Sequence, residues 1–365
     1  MFSLKGFHAY GQTSLWKAHT EIQYWSDLAL YTTPERHTGL DYMGWLINSS
    51  SLSYKKTHSL HLGLMLTHGG EPSLKSVGDL QTFSNIEAGW LYGFYETYYQ
   101  YNNDHLQLKI GQQDINTDFL VSENALLFAH SSAGIDPVTT LNMPAPTYPF
   151  TAIALTSRWT TKKALSIRTG IFDGQFGAAR KNFIPIDWKI SGDKGLLYIV
   201  EPEIHLLHDR VILKPGTYYH SGNFISKKDN SIRRGLWGYY LVSDITLFQK
   251  EKKSIGLFTQ YSISSPELSD LQYYAGTGLR IVQPFKWNRA HELGIFIGYT
   301  RLFSQWSETA EKYDIISETA IELSGQLSIT PWLKLQPYFQ LILRNDIHPE
   351  KPEPLIAALR AITTL

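Results

Sequence analysis

The chain alternates between apolar and polar residues. In residues 315–329, Ile315, Ile321, Leu323, Leu327 and Ile329 share one parity, and Glu318, Glu322, Ser324, Gln326 and Ser328 share the other. Side chains on a strand point to opposite faces with a period of two, so this segment predicts a strand with one apolar and one polar face. After Thr330-Pro331-Trp332 the pattern resumes, with Leu333, Leu335, Phe339, Leu341 and Leu343 opposed to Lys334, Gln336, Gln340 and Arg344. Residues 291–301, 105–113 and 164–171 read the same way. About 17 such stretches can be marked, starting near residues 6, 21, 42, 58, 87, 105, 150, 163, 195, 210, 235, 254, 271, 289, 315, 333 and 355. Many run for about 9–12 residues, the length of a tilted membrane-crossing strand. Single-chain bacterial barrels have even strand numbers, so one segment is surplus or one is missed.

Connections alternate between short and long. Asn102-Asn103-Asp104, Thr160-Thr161-Lys162 and His208-Asp209 are short, whereas 113–149, 173–194, 220–234 and 302–314 are long. Tight turns at one end and long loops at the other are expected of an outer-membrane barrel. The expected fold is therefore all-β: one transmembrane antiparallel barrel of about 16 strands, residues 1–365 forming a single domain. The long loop 113–149 is the candidate constriction, expected to fold into the lumen, with Pro137, Pro144, Pro146 and Pro149 stiffening its later half. A soluble sandwich also alternates, but its strands are shorter.

Composition narrows the function classes. Lys+Arg and Asp+Glu each number 33, so the chain carries none of the basic excess of a nucleic-acid binder. Charged residues are 18% and aromatics 13%, a balance suited to a surface meeting lipid headgroups. There are no cysteines, which removes thiolate catalysis and Cys-based zinc sites. No apolar run approaches the roughly 20 residues of a transmembrane helix. Met1–Tyr10 carries no apolar signal region, so the chain is read as a mature form of an exported protein.

Three segments then acquire meaning together. The first is His68-Gly69-Gly70-Glu71-Pro72-Ser73, leading into Ser76-Val77-Gly78-Asp79-Leu80-Gln81 and Ser84-Asn85-Ile86-Glu87-Ala88. The second is Leu108-Lys109-Ile110-Gly111-Gln112-Gln113-Asp114 with Asp118-Phe119, running on to Phe128-Ala129-His130-Ser131-Ser132-Ala133-Gly134 and Asp136-Pro137. The third is Ile329-Thr330-Pro331-Trp332-Leu333-Lys334-Leu335-Gln336-Pro337 with Gln340. In this order they resemble the carbohydrate-selective porin family, OprB. The resemblance covers about residues 68–365. It implies a barrel of sixteen strands that lets small sugars diffuse across the bacterial outer membrane, in contact with lipid and lipopolysaccharide, as a monomer rather than a trimer. The family's N-terminal tryptophan-glycine segment is not evident here, His130 stands where the family usually has Asn, and the chain ends in Leu365 where such barrels commonly end in Phe.

Lipid-facing charge is costly, so charges on strands should face inward. The candidate pore-lining and substrate residues are Glu96, Arg158, Arg168, Glu201, Glu203 and Arg280 on strands, with Asp114, Asp118 and Glu123 in the long loop. Glu96 is expected to share the lumen face with Tyr92 and Gln100. Tyr98, Tyr99, Trp159, Trp188, Trp237, Tyr273 and Tyr274 are read as interfacial girdle residues or sugar platforms. No H-E-x-x-H, P-loop or G-x-S-x-G occurs, and no catalytic residue, metal site or cofactor is assigned. The alternatives are a barrel with a structural, adhesion or polysaccharide-export role, and a secreted β-rich carbohydrate-active enzyme using a carboxylate pair such as Glu201/Glu203.

Overall fold

The computed structural model describes residues 15–365 apart from 34, 36, 163, 176–180, 187, 191–193, 288, 303–314 and 347–351. Its strands are β1 (Trp16–Thr32), β2 (Thr38–Tyr54), β3 (His58–Gly69), β4 (Leu91–Asn102), β5 (Leu106–Gln113), β6 (Ala152–Lys162), β7 (Leu165–Asp173), β8 (Phe183–Ile184) and β9 (Leu196–Leu206). They continue with β10 (Val211–Ile225), β11 (Ile232–Lys250), β12 (Lys253–Ser264), β13 (Leu271–Val282), β14 (His291–Leu302), β15 (Ile315–Thr330), β16 (Leu333–Asp346) and β17 (Leu355–Thr364). All except β8 pair antiparallel with their neighbours, β7 with β9, and β17 returns to β1 through Trp25↔Ile362 and Asp27↔Arg360. The result is a closed barrel of sixteen strands, the arrangement that leaves no backbone edge unpaired in lipid.

The alternation explains why these segments are strands. Leu293, Ile295 and Ile297 on β14, and Leu323, Phe339 and Leu343 on β15 and β16, are exposed on the outer wall. Between them Phe296, Glu318, Glu322 and Gln340 are buried inside. The segments expected from near residue 21 to near residue 355 fall on the ring strands. The one expected near residue 6 lies outside the described residues. The extra strand β8 falls within the expected loop 173–194; it runs parallel to β4 at Tyr92 and Gly93, above the point where β5 stops pairing. Gly93 is required there: its φ is +140°, and a Cβ would sit 2.2 Å from the Ile184 carbonyl oxygen.

A register shift between Leu62 and Leu64 places a bulge in β4 around Tyr95 and Glu96. The bulge inserts one residue and switches parity. Tyr95 is buried inside and Glu96 bonds to the inserted loop, while Tyr92 is half exposed outside. Tyr92 and Glu96 therefore do not share the lumen face, which corrects the alternation reading.

Short turns join strands at the end where β1 begins and β17 finishes. The connections 70–90 and 114–151, at the other end, both turn into the barrel. The first holds a π-helical turn (Ser73–Val77) closed by Gly78 in the left-handed region, φ +71°, whose N–H reaches the Ser73 carbonyl. The second holds two short helices, α1 (Ser131–Gly134) and α2 (Pro137–Asn142). Where they meet the wall the lumen side is apolar: Ile115, Phe119 and Leu120 pack against Phe172, Leu197, Ile199, Leu236 and Val242. The interior is thus not uniformly polar. Packing a loop inside moves apolar area out of water, about 1.5–3 kcal/mol for each large side chain.

Carboxylates on the inner wall bind the main chain of these segments. Glu318 takes the N–H groups of Leu80 and Gln81, Glu322 those of Ala129 and His130, and Glu201 that of Leu120. Asp244 takes those of Glu123 and Asn124 and the Ser122 hydroxyl. Side-chain amides of Gln336, Gln340 and Gln260 donate to the carbonyls of Leu127, Phe83 and Ala133. These bonds satisfy irregular backbone that would otherwise be buried without partners.

Candidate pore eyelet

The anchors lie mainly on β9 to β16. The open space lies along β1, β2 and β4. It is a cavity of about 450 Å³ bounded by Trp25, Trp45 and Tyr95 on the barrel, by Leu80–Glu87 of the first inserted segment and by Asp114, Asn116, Ser131, Ser132 and Tyr148 of the second. That volume is within the range of small-molecule sites.

Aromatic rings form one side. Trp25 and Trp45 are register partners and meet edge to face, with centroids 5.3 Å apart at 87°. Tyr148 meets Trp45 at 6.1 Å and 85°, and Tyr95 at 6.4 Å and 71°. The Arg360 guanidinium lies over the Trp25 ring, 5.4 Å from its centroid, held by Asp27 at 2.7 and 2.8 Å. Polar groups form the other side. Asp114 caps a 3₁₀ turn (Ile115–Thr117), accepting from the Asn116 N–H at 2.7 Å, the Tyr148 N–H at 3.2 Å and the Tyr95 hydroxyl. Burial raises its carboxyl to about 6. Glu87 accepts the N–H groups of Ser73 and Leu74; burial, with Asp79 nearby, raises it to about 8. The indole Nε1 of Trp25 and Trp45, Gln81 Oε1 and Asn85 Oδ1 are buried without hydrogen-bond partners among the described residues.

Of the nine residues singled out from sequence, Asp114 lines this cavity. Glu96 lies behind it, accepting the Asp114 N–H at 3.2 Å. Asp118 pairs with Lys109 at 2.8 Å. Arg158, Arg168, Glu201 and Glu203 form a ladder across β6, β7 and β9: Arg158 binds Glu203 at 2.9 Å, and Arg168 binds Glu201 at 3.1 Å and Glu203 at 2.8 Å. Glu201 is fully buried and also accepts the Tyr240 hydroxyl at 3.0 Å. Arg280 binds Glu292 at 2.7 Å and the carbonyl of exposed Glu123 at 2.8 Å. The geometry therefore places the charged candidates in four sets: Asp114 with Glu96, Asp118 with Lys109, the ladder, and Arg280 with Glu123.

Sequence reasoning missed Trp25, Trp45, Tyr95, Tyr148, Gln81 and Asn85. A signal existed for two of them: Gln81 and Asn85 stand in the first resemblance segment, beside Glu87. Among the aromatics considered, Trp159 and Trp237 are exposed on the outer wall, as a girdle requires. Tyr274 is instead fully buried inside, its hydroxyl donating to the Ser132 carbonyl at 2.7 Å. Among the described residues no group of three His, Asp or Glu side chains is arranged to hold a metal ion.

A family model for the carbohydrate-selective porin, OprB family, matches residues 56–364. No curated protein sequence matches the chain. Among solved structures, the high-pH structure of Pseudomonas putida OprB is similar with a TM-score of 0.82 at 14% identity, covering 95% of this chain and 94% of that one. The outer membrane channel DcaP of Acinetobacter baumannii is similar with a TM-score of 0.59 at 8% identity, covering 96% and 97%. OmpT of Vibrio cholerae, in its trimer form, is similar with a TM-score of 0.57 at 7% identity, covering 96% and 100%. At these identities the structural likeness speaks for the fold.

Proposed function

This chain belongs to the carbohydrate-selective porin family, OprB, and from that premise we propose that the cavity between Trp25, Trp45, Tyr95 and Tyr148 is the sugar-selecting eyelet of its channel. The protein is an outer-membrane channel for passive diffusion of small carbohydrates, not an enzyme. The observation that carries the eyelet assignment is the pairing of chemistries in one cavity. Indole and phenol rings offer apolar area to the C–H faces of a sugar ring. Two indole N–H donors and two amide oxygens beside them have no protein partner among the described residues, and a small shift of the lining would present them to its hydroxyls. A buried polar group left alone is costly, so each is suited to a partner that arrives from outside. Such contacts are few enough to release the sugar again, as conduction requires.

In this reading the segments 70–90 and 114–151 together make the constriction. The Arg158–Arg168–Glu201–Glu203 ladder orders the wall beside them, and Arg280, Asp118 and Glu123 line the surrounding lumen. The working unit is taken as a monomer, as the family resemblance implies. The outer wall meets lipid and lipopolysaccharide.

Single-channel conductance in planar bilayers tests the eyelet. Current steps of the native protein are expected to fall as glucose is titrated, and Trp45→Ala is expected to weaken that block at least severalfold. A block of equal strength in native and variant channels would remove these rings from the site. Mass measured by light scattering in detergent tests the monomer; a mass of three chains would overturn it.

A further inference from the structure

We propose that the eyelet favours cationic sugars: a protonated amino sugar, such as a 2-aminohexose, is taken in preference to its neutral counterpart, and a sugar acid is turned away. The inference rests on the assignment of this cavity as the eyelet and adds the charge of the preferred substrate.

The cavity lining is acidic. Asp114 and Glu87 line the cavity, and no Lys, Arg or His does. Their hydrogen-bond partners are neutral: Glu87 takes main-chain N–H groups, and Asp114 takes two of these and a tyrosine hydroxyl. Glu96, directly behind Asp114, likewise takes a main-chain N–H. Neutral donors stabilise a carboxylate without cancelling its field. The nearby bases have acidic partners of their own: Lys75, which also feels the charge of Glu87, is paired with Glu71 at 2.7 Å. Arg360 forms a bidentate pair with Asp27 behind the Trp25 ring, and Lys109 is paired with Asp118.

The second observation is independent of the carboxylates. Gln81 is 3% exposed, its amide nitrogen donates to the Glu318 carbonyl, and its Oε1 has no partner among the described residues. Asn85 Oδ1 is in the same condition. Both side chains edge the cavity. An ammonium group carries three donors and no acceptor, so amide oxygens suit it. The ring hydroxyls of the same sugar would accept from the indole N–H groups. In a narrow lumen with low-dielectric walls, fixed carboxylates concentrate cations and repel anions, as acidic rings do in cation channels.

The full-length protein in a planar bilayer, held at pH 8.5 under a potassium chloride gradient, gives the first reading. The reversal potential is expected to show preference for potassium, and Asp114→Asn and Glu87→Gln, each close in shape to the original, are each expected to move it toward zero. Glucosamine is then titrated against glucose and glucuronate at pH 7, where Asp114 carries the charge and Glu87 is neutral. Block by glucosamine at severalfold lower concentration than glucose, with none by glucuronate, supports the proposal. Equal block by glucosamine and glucose, with no potassium preference, overturns it and leaves the sugar eyelet standing. Block by none of the three overturns both. The native reversal potential needs no variant, so a substitution that fails to fold does not remove the test.

Discussion

Glu322 on β15 holds His130 in the lumen. Its Oε2 accepts the His130 N–H at 2.8 Å, and its Oε1 accepts the adjacent Ala129 N–H at 2.8 Å, bonds that span 192 and 193 residues of sequence. The Gln340 amide donates to the same carboxylate at 2.9 Å. One carboxylate on β15 therefore ties the long inserted segment to the barrel wall.

Removing that carboxylate should loosen the segment. Glu322→Ala strands two buried main-chain donors, each costing about 1–3 kcal/mol. The barrel is expected to lose its heat-resistant gel mobility at a lower temperature, and its channels to become larger and noisier. Unchanged thermal behaviour and conductance would show that neighbouring contacts hold the segment without Glu322.

The Asp27–Arg360 pair should be the most sensitive to half-removal. Both residues are essentially fully buried, and Ser84 and Tyr338 also donate to Asp27. Breaking a buried pair from one side costs about 3–5 kcal/mol, because the other charge stays uncompensated. Arg360→Met is expected to destabilise strongly, and the Asp27→Asn/Arg360→Met double variant to recover part of the loss. Denaturant midpoints of refolded protein measure both, and a double variant worse than the single would contradict this account.

Ion selectivity should follow pH in two steps. The carboxyl of Asp114 sits at about 6 and that of Glu87 at about 8, both raised by burial, so each is neutral below its value and negative above it. Raising the pH adds negative charge to the eyelet and should raise potassium preference. Other charges facing this level are Asp79, also at about 6, and the Lys75–Glu71 pair on the first inserted segment, Glu96 on β4, Arg344 on β16 beside Asp79, and the Asp27–Arg360 and Lys109–Asp118 pairs. Glu87→Gln is expected to flatten the upper step and Asp114→Asn the lower. A reversal potential constant from pH 5 to pH 9 would refute the assignment.

His130 should be replaceable by Asn. Its Nδ1 accepts the Ser132 N–H at 3.3 Å at the start of α1, the task an Asn side chain performs at an N-cap. Burial lowers the ring to about 3, so it is neutral and able to accept across the physiological range. His130→Asn is expected to keep near-native stability, whereas His130→Ala loses about 0.5–2 kcal/mol. Equal loss in both variants would show that ring packing against Phe296 matters more than the cap.

The alternation by itself determined the ring: which segments are strands and which parity meets lipid; it did not settle loop lengths, since the expected long connection 220–234 is largely strand (β10 to Ile225, β11 from Ile232) and the long inserted connection 70–90 was not among those expected. The ring follows because each barrel strand lies between two different solvents, so its period-two pattern is local. The same local logic placed Arg168, Glu201 and Glu322 inside. What period two could not carry was the β4 bulge, which reassigns Tyr92 and Glu96 by one inserted residue. It also could not say which inward groups face water and which face a buried loop. Glu201, Glu318 and Glu322 look like pore charges in sequence, yet they bind main-chain N–H groups from segments 81 to 238 residues away. The eyelet itself arises only when Trp25 and Trp45 meet across two strands and two loops close beside them. Those contacts join residues distant in the chain, and only the closed tertiary structure decides them.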